Sequence, residues 1–380
     1  VTATSFSLNR AANNEPSDLG QYGLALYWLL DDWAGTPLSI NFYHANYHSR
    51  LPSVSAYAAD AACTRRESSA TGMDANSLTI FATCPGLLVV EPGPDTYDAL
   101  PLETGQYFLD YAKDIKLWGL SFDAEAFNLA IQGELVYREN QPIQVDLEDV
   151  LFTAFQPIFP RDTIELGVAT LADSERAIPT YLEAYRGQVP GEVVPNSYVR
   201  GYERFKTVHS TIGFTKITGA RSLFGATEAV YLLEISANWI PELPSLDTLP
   251  LEGPGTHTHR LPGIADTGDA LKINPISNGN DGYVTEVAYG YRFAGFLRYT
   301  DVILPGLSIR PLLILAHDLH GVAPGLAENF LEGRKVIVGN VQGQYGNWRA
   351  DIIYSWFTGG GDAHVLRDRD AMGLSVSYEF

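Results

Sequence analysis

Charged and amide side chains recur at every second position in several segments of this sequence. In a strand predicted from Phe127 to Arg138, for example, polar residues alternate with apolar ones. Alternate residues of a β-strand point to the same side of a sheet, so these polar side chains would share one surface. Such a surface, with acids and bases mixed, can neutralise itself through ion pairs or can orient an amphipathic solute. The residues concerned, called the polar-face residues below, are Gln132, Glu134, Arg138, Glu228, Glu234, Asn238, Glu286, Arg292, Arg298, Arg310, Asp318, Asn340, Gln342, Arg349 and Asp351.

Histidines form two local groups. His44 and His48 lie with Arg50 near the end of a predicted strand. They could pack within a loop, or they could capture an anionic headgroup at an entrance. His257 and His259 resemble a metal-binding pair, but a zinc site needs three or four ligands, so we expect no metal.

The sequence offers little for catalysis. Ser210 follows His209 directly, and neighbours on a strand point to opposite faces, which separates a nucleophile from its base. The sequence contains no Gly-x-Ser-x-Gly elbow. We therefore expect neither an enzyme nor a bound cofactor.

The two cysteines, Cys63 and Cys84, fall in one loop-like segment. Two cysteines in an exported protein predict a disulfide, here one that closes a surface loop.

The final segment shows most clearly that the polar-face residues lie on β-strands. From Met372 to Phe380 every second residue is apolar, and the residues between are small or polar. In a soluble sandwich the apolar face would pack into a core, whereas in a transmembrane barrel it would face lipid. A chain that ends on such a strand with Phe resembles bacterial outer-membrane proteins.

The connections between predicted strands alternate between short and long. The short ones lie near 32–36, 125–126, 219–225, 300–306 and 346–347, where Gly346-Asn347 predicts a two-residue hairpin. The long ones lie near 50–105, 139–196, 241–282, 320–331 and 359–369, and the second contains a predicted short helix from Leu147 to Phe155. Outer-membrane barrels have short periplasmic turns and long external loops, while a soluble sandwich has no reason for this order.

We therefore predict an all-β fold that forms one domain over residues 1–380, an antiparallel transmembrane β-barrel of at least about twelve strands. The first of these strands is a fragment at residues 3–8. The polar-face residues would line the lumen. Aromatic residues near strand ends would form the interfacial girdles, namely Tyr22, Trp28, Trp239, Tyr283, Tyr299, Trp348, Trp356 and Tyr378. Outer-membrane lipid and lipopolysaccharide would surround the barrel.

Composition narrows the partners. The net charge of −20 argues against nucleic acid, which needs a basic surface. No apolar run approaches the roughly eighteen residues of a membrane helix. The mean hydropathy of −0.05 is compatible with alternating membrane strands.

The sequence is similar to the proteobacterial outer-membrane family known as domain of unknown function 1302. The matching stretches are Phe42 to Pro52, Tyr137 to Pro142, Leu251 to Thr256, His317-Asp318, Phe330 to Lys335 and Asp368 to Asp370. Members usually carry a longer N-terminal part, so we expect a missing plug or extra strands, about fourteen strands or more in total. The family's likeness to long-chain fatty-acid transporters implies a channel for hydrophobic molecules.

Two functions follow as expectations. The first is an outer-membrane channel for hydrophobic or amphipathic small molecules. The second is a structural or scaffold barrel whose external loops bind partner proteins in a surface assembly. A periplasmic or surface protein is the expected partner. Apolar residues Ile240, Leu243, Leu246, Leu249 and Leu251 predict a greasy groove in the third long loop, which suits either an apolar solute or a partner protein.

Overall fold

More than half of the described residues lie in β-strands. The computed structural model describes residues 8–33, 36–61, 102–158, 164–165, 170–171, 180–188, 193–219, 223–254, 282–301, 303–325 and 330–380. Within these ranges, no helix has the length and apolar character needed to cross a membrane.

One large antiparallel sheet dominates the fold, and each of its strands pairs with the next one along the chain that belongs to it. Its eleven strands are β2 (Tyr22–Trp33), β3 (Thr36–Tyr47), β6 (Ile115–Ala126), β7 (Leu129–Gln144), β11 (Tyr202–Thr218), β12 (Glu228–Trp239), β13 (Val287–Thr300), β14 (Leu307–His320), β15 (Lys335–Tyr345), β16 (Trp348–Thr358) and β17 (Ala371–Tyr378). The pairing runs from β2 at one edge to β17 at the other, and the described residues do not join these two edges.

The register gives this sheet two chemically different faces. Phe293 of β13, for example, lies opposite Leu233 of β12 and Leu315 of β14. Its neighbour Arg292 lies opposite Glu234, on the other side. We call the side that carries Phe293 the apolar face and the side that carries Arg292 the polar face. Side-chain direction alternates along a strand, so the sequence pattern alone produces this separation.

The short connections follow the predicted order. β6 and β7 join through Phe127 and Asn128, both with positive φ, and β15 and β16 join through Gly346 and Asn347. The hairpin predicted at Gly346-Asn347 is therefore confirmed. The prediction that a strand begins at Phe127 is wrong, since β7 begins at Leu129. Phe127 and Asn128 have the paired positive φ values of a tight hairpin turn.

The long connections leave the end of the large sheet that lies opposite the short connections, because its strands run antiparallel in sequence order. Three of the long connections, between β3 and β6, between β7 and β11, and between β12 and β13, pack together with the segment before β2 into what we call the cap. The cap holds a four-stranded sheet of β1 (Asn9–Arg10), β5 (Gln106–Asp110), β4 (Ser53–Tyr57) and β10 (Tyr198–Val199). It also holds helices α1 (Leu147–Phe155) and α2 (Tyr181–Tyr185), while β8 (Ile164–Glu165) and β9 (Thr170–Leu171) form a separate ribbon.

Helix α1 confirms the short helix predicted between Leu147 and Phe155. Asp146 caps it, since its carboxylate accepts a hydrogen bond from the Asp149 N–H at 3.0 Å. The carboxylate of Asp149 in turn accepts the N–H groups of Tyr181 and Leu182, at 3.0 and 2.8 Å, where α2 begins. The two helices are thereby tied to each other within the cap.

Several sequence expectations concern residues outside the described ranges. The disulfide between Cys63 and Cys84, the histidine pair at 257 and 259, and nearly all of the strand predicted at 3–8 fall there. The disulfide stays a prediction, which mass mapping without reduction can test. The large sheet has eleven described strands rather than twelve, so the strand total and the closure of the sheet belong to the proposal below.

Candidate functional site

The apolar face is a continuous surface of exposed large side chains. It extends from β2 to β17, and every strand between contributes to it. Met372, for instance, is 73% exposed, although a soluble sheet would bury such a residue. Members of this surface that are exposed include Leu24, Leu26, Trp28, Leu120, Leu135, Ile235, Trp239, Leu313, Val341, Ile352, Trp356, Leu374 and Val376.

The polar face collects nearly all of the polar-face residues. The register runs Glu134, Thr211, Ser236, Gly290 and Asp318 in one row across β7 to β14. Fourteen of the fifteen predicted residues lie on this face, by the same pairing.

Glu286 is the exception. It precedes β13 at the cap end, and its carboxylate accepts a hydrogen bond at 3.2 Å from the indole N–H of Trp239, a residue of the apolar face. Asn238 lies opposite His209 and Ala288, whereas Asn340 lies opposite Leu312 and Ile353.

The strongest ion-pair group on the polar face surrounds Asp318, which is 1% exposed. One carboxylate oxygen accepts from the Arg292 guanidinium at 2.7 Å, and the other accepts from Arg334 Nε at 2.7 Å. The second oxygen also accepts the Leu331 N–H at 3.1 Å. Arg334 and Leu331 belong to the connection between β14 and β15, so this group ties that connection to β13.

A second group links β3 and β7 through tyrosine hydroxyls, a carboxylate and a guanidinium group. The Tyr43 hydroxyl donates to Glu134, and Arg138 Nε donates to the Tyr47 hydroxyl at 3.2 Å. The ring of Tyr43 crosses directly over Gly119, where an added Cβ would lie 2.0 Å from a ring carbon. Glycine is required there because the aromatic ring occupies the space that any side chain would need.

A third group lies near the short connections. Arg298 Nη1 and Glu228 pair at 2.6 Å, and Gln342 Nε2 donates to Asp351 Oδ1 at 3.0 Å. Arg349 lies 3.7 Å from Glu379. Many polar-face residues therefore neutralise one another, which was one of the two alternatives that the sequence left open.

The polar face also carries an apolar patch that the sequence interpretation missed. Leu232 is 44% exposed, and Ile314 and Ile353 are each 38% exposed, although all three share the face of Arg292. Phe296 and Leu312 lie opposite each other within the same area. The available signal was the run of apolar residues on both parities in β12 and β14, where strict alternation breaks down.

His44, His48 and Arg50 have three different environments. The ring of His44 lies on the apolar face, 3.9 Å from the ring centroid of Trp118. His48 is buried, its Nδ1 accepts the Asp114 N–H at 3.1 Å, and its Nε2 lies 3.0 Å from the Leu19 carbonyl oxygen. These bonds satisfy both ring nitrogens in one neutral tautomer. Arg50 is exposed beyond the end of β3. The placement favours loop packing for His48 over capture of a headgroup.

The cap buries carboxyl groups that the sequence interpretation did not single out. The Tyr283 hydroxyl donates to Asp146 Oδ2 at 2.7 Å, and Glu252 Oε2 accepts the Leu147 N–H at 3.0 Å. Burial, reinforced by the nearby charge of Asp146, raises the pKa of Glu252 to about 8. Burial and the same aspartate also raise the pKa of Tyr283. Nothing local marks these residues, because their partners lie more than a hundred positions apart in the chain.

Two sequence expectations are wrong in the cap. Ile240, Leu249 and Leu251 do not line an open groove, because they are buried in the main cluster of the cap core. Tyr283 was expected on a strand within an aromatic girdle, but β13 begins only at Val287 and Tyr283 is buried beside Asp146. In both cases the apolar side chains find cap partners and are removed from water.

Among the described residues, no group of three or more His, Cys, Asp or Glu side chains is arranged to hold a metal ion. The arrangement that remains is a two-faced sheet, with ion pairs and an apolar patch on one face and a packed cap at one end.

Comparison with known proteins gives one match. A family model described as "Protein of unknown function (DUF1302)" matches residues 1–380. No curated protein and no solved structure matches the chain. Because the family match covers the whole chain, the resemblance carried by the sequence stretches is confirmed, and the chain belongs to the DUF1302 family.

Proposed function

We propose that this protein is a bacterial outer-membrane β-barrel that passes hydrophobic or amphipathic small molecules. The observation that carries the proposal is the apolar face, on which exposed large side chains run without interruption across eleven strands. In water this surface would be far larger than the apolar patches that monomeric proteins tolerate. In a bilayer the same surface would contact lipid chains, and its exposure would carry no free-energy cost.

The polar face supports the same proposal. Outer-membrane barrels enclose a polar interior, and the ion pairs of Asp318 and Glu228 would then lie in the lumen. Closure of the sheet, by pairing of β2 with β17 or through additional strands, is part of the proposal. Open edges exposed to lipid would leave backbone groups without hydrogen-bond partners.

The long connections support an orientation. They leave one end of the sheet, while the other end has turns as short as two residues. In bacterial barrels the long connections face the exterior. The cap would then cover the external mouth, where it could restrict which solutes reach the lumen.

Lipid contact can be tested directly. The protein would be refolded into phosphatidylcholine vesicles with bromine-labelled acyl chains, which quench nearby indoles. We expect strong quenching, because Trp118, Trp239, Trp348 and Trp356 all lie on the apolar face. Emission that is unaffected by bromine but quenched by aqueous acrylamide would refute the membrane placement.

Transport needs a separate test. Proteoliposomes would be loaded with a fluorescent acceptor, and the entry of neutral and charged amphiphiles would be compared with that in empty vesicles. We expect faster entry with protein, and conductance in planar bilayers. If neither exceeds the lipid background while the tryptophans still contact lipid, the barrel stands and the channel is refuted.

A scaffold remains the second candidate, since the cap is a packed unit with its own core and not a set of independent loops. Such a rigid surface suits docking of a protein partner. Crosslinking from exposed cap positions in intact cells would favour it if one partner protein were captured in stoichiometric amounts and transport were absent.

A further inference from the structure

We propose that the polar face holds a binding site for an anionic amphiphile, in which Arg310 receives the acid group and the apolar patch receives the chain. The inference rests on the proposed channel function and specifies its substrate class: an alkyl or polycyclic molecule that carries a carboxylate or a similar acid. The apolar patch is defined by Val230, Leu232, Phe296, Leu312, Ile314, Val338 and Ile353.

Among the described residues of the polar face, Arg138 and Arg310 are cations without an ion pair, and of the two Arg310 also lacks a hydrogen-bond acceptor, whereas Arg138 donates to Tyr47. The Arg310 guanidinium makes no ion pair with any described residue, and its buried Nε–H has no hydrogen-bond acceptor among them. The guanidinium carbon of Arg310 lies 5.6 Å from the centroid of the Phe296 ring. A partly buried donor without an acceptor is costly, and an incoming anion would remove that cost.

The nearest carboxylates already have other partners. Glu228 pairs with Arg298, and Asp351 accepts from Gln342. Because Phe296 lies opposite Leu312, Arg298 and Arg310 follow at facing positions on β13 and β14. The row across β12 to β14 therefore carries two guanidinium groups and one carboxylate, which pairs with Arg298. Asp351 is two strands away from Arg310, roughly 10 Å.

The apolar patch begins next to Arg310 and extends toward the cap. Two rows of the register build it. The first runs through Val230, Phe296 and Leu312 and continues to Ile353 on β16 across the polar Asn340 of β15. The second runs through Leu232, Ala294, Ile314 and Val338 and ends at Ser355 on β16. Five strands span roughly 19 Å at the usual strand spacing. Exposed Leu232 and Ile314 would face water in an empty lumen, and an apolar chain laid across them would release that water.

The charge and the patch together select the ligand. A carboxylate can form paired hydrogen bonds with a guanidinium group, whereas a quaternary ammonium group of the same chain length is repelled by Arg298 and Arg310. A short acid such as acetate lacks the chain that would cover the patch. The ionic group would lie toward the short connections and the chain toward Arg292 and the cap.

The test uses the full chain, refolded into phosphatidylcholine nanodiscs, with four probes: decanoate, decanol, decyltrimethylammonium and acetate. Calorimetric titration into protein-free nanodiscs corrects for partition into lipid. We expect saturable binding of decanoate, weaker binding of decanol, and none of the other two. Arg310→Gln should weaken decanoate binding about tenfold or more while leaving decanol unchanged, and Arg310→Lys should recover part of the loss.

Two further variants separate the site from general effects. Ile314→Asn should weaken decanoate and decanol alike, since it interrupts the apolar patch. Lys216→Gln also removes one positive charge, but Lys216 lies on the apolar face, so it should bind decanoate as the wild type does. Circular dichroism and heat-modifiable gel mobility would establish that each variant is folded before its titration is interpreted.

The inference is overturned if decanoate does not bind the wild type, if decyltrimethylammonium binds equally well, or if Arg310→Gln and Lys216→Gln behave alike. Binding in nanodiscs does not depend on passage across a membrane. Entry of amphiphiles into proteoliposomes with no effect of Arg310→Gln would thus refute this site and leave the channel standing. Decanoate binding at Arg310 without any entry would refute the channel instead.

Discussion

Replacement of Asp318 by Asn gives the most demanding test of the ion pairs on the polar face. The side chain is 1% exposed and accepts from two guanidinium groups, each at 2.7 Å. Asn keeps the size of the side chain but removes the negative charge. The buried positive charge of Arg334, 9% exposed, would then lose the Asp318 carboxylate.

The expected loss of stability follows from the exposed fractions of Asp318 and its two arginine partners. Removing one partner of a buried ion pair costs about 3–5 kcal/mol of stability. Arg292 is 34% exposed, so water compensates part of its loss, and most of the cost comes from Arg334. We expect Asp318→Asn to lower the free energy of unfolding by about 3–4 kcal/mol.

The assay is urea unfolding in phosphatidylcholine vesicles, followed by tryptophan emission and extrapolated linearly to zero urea. Asp351→Asn is the matched control, because Asp351 lies on the same face and accepts one described hydrogen bond, from Gln342. The control should lose less than about 1 kcal/mol. If the two variants differ by less than about 1 kcal/mol, the Asp318 group does not stabilise the sheet as argued. In a double-mutant cycle, Arg334→Met should cost much less in the Asp318→Asn background than in the wild type.

Three other predictions address the faces and the cap. Phe293→Arg should cost about 2–4 kcal/mol near the bilayer midplane, whereas Thr215→Arg on the polar face should cost far less, and equal losses in vesicle unfolding would contradict the assigned faces. The raised pKa of Glu252, about 8 against the usual 4.5, means that the folded protein holds its proton more tightly than the unfolded chain. The stability that this tighter proton binding contributes is therefore fully present below pH 4.5 and is lost as pH rises through 8. Glu252→Gln, which stays neutral, should gain stability relative to the wild type between pH 5 and 9. Parallel pH profiles of the two proteins would show that the glutamate is not protonated. Gly119→Ala should displace the ring of Tyr43 and cost about 1–3 kcal/mol, and normal stability of that variant would show that the ring can move freely.

The alternation of residue types by itself determined the antiparallel strands, their two faces and the order of short and long connections. The parity of a residue in a strand decides which way it points, so Arg292 and Phe293 were assigned to opposite faces without any knowledge of their neighbours. The hairpin at Gly346 and the helix that begins at Leu147 were likewise local, since turn and capping chemistry depends on a few adjacent residues.

The tertiary structure alone decided how the long connections associate. Asp146 meets Tyr283 across 137 positions, and Leu249 and Leu251 enter a core that is shared with α1 and β4. An apolar run in a loop reads equally well as a groove or as core, because periodicity records local direction and not the distant partner.

The same limit applies to charge. The sequence placed Asp318 and Arg310 on one face, but only the register gave Asp318 two cations and left Arg310 beside Phe296. Which charges are neutralised depends on pairing across strands, which is set by long-range register and bulges such as the one at Tyr289.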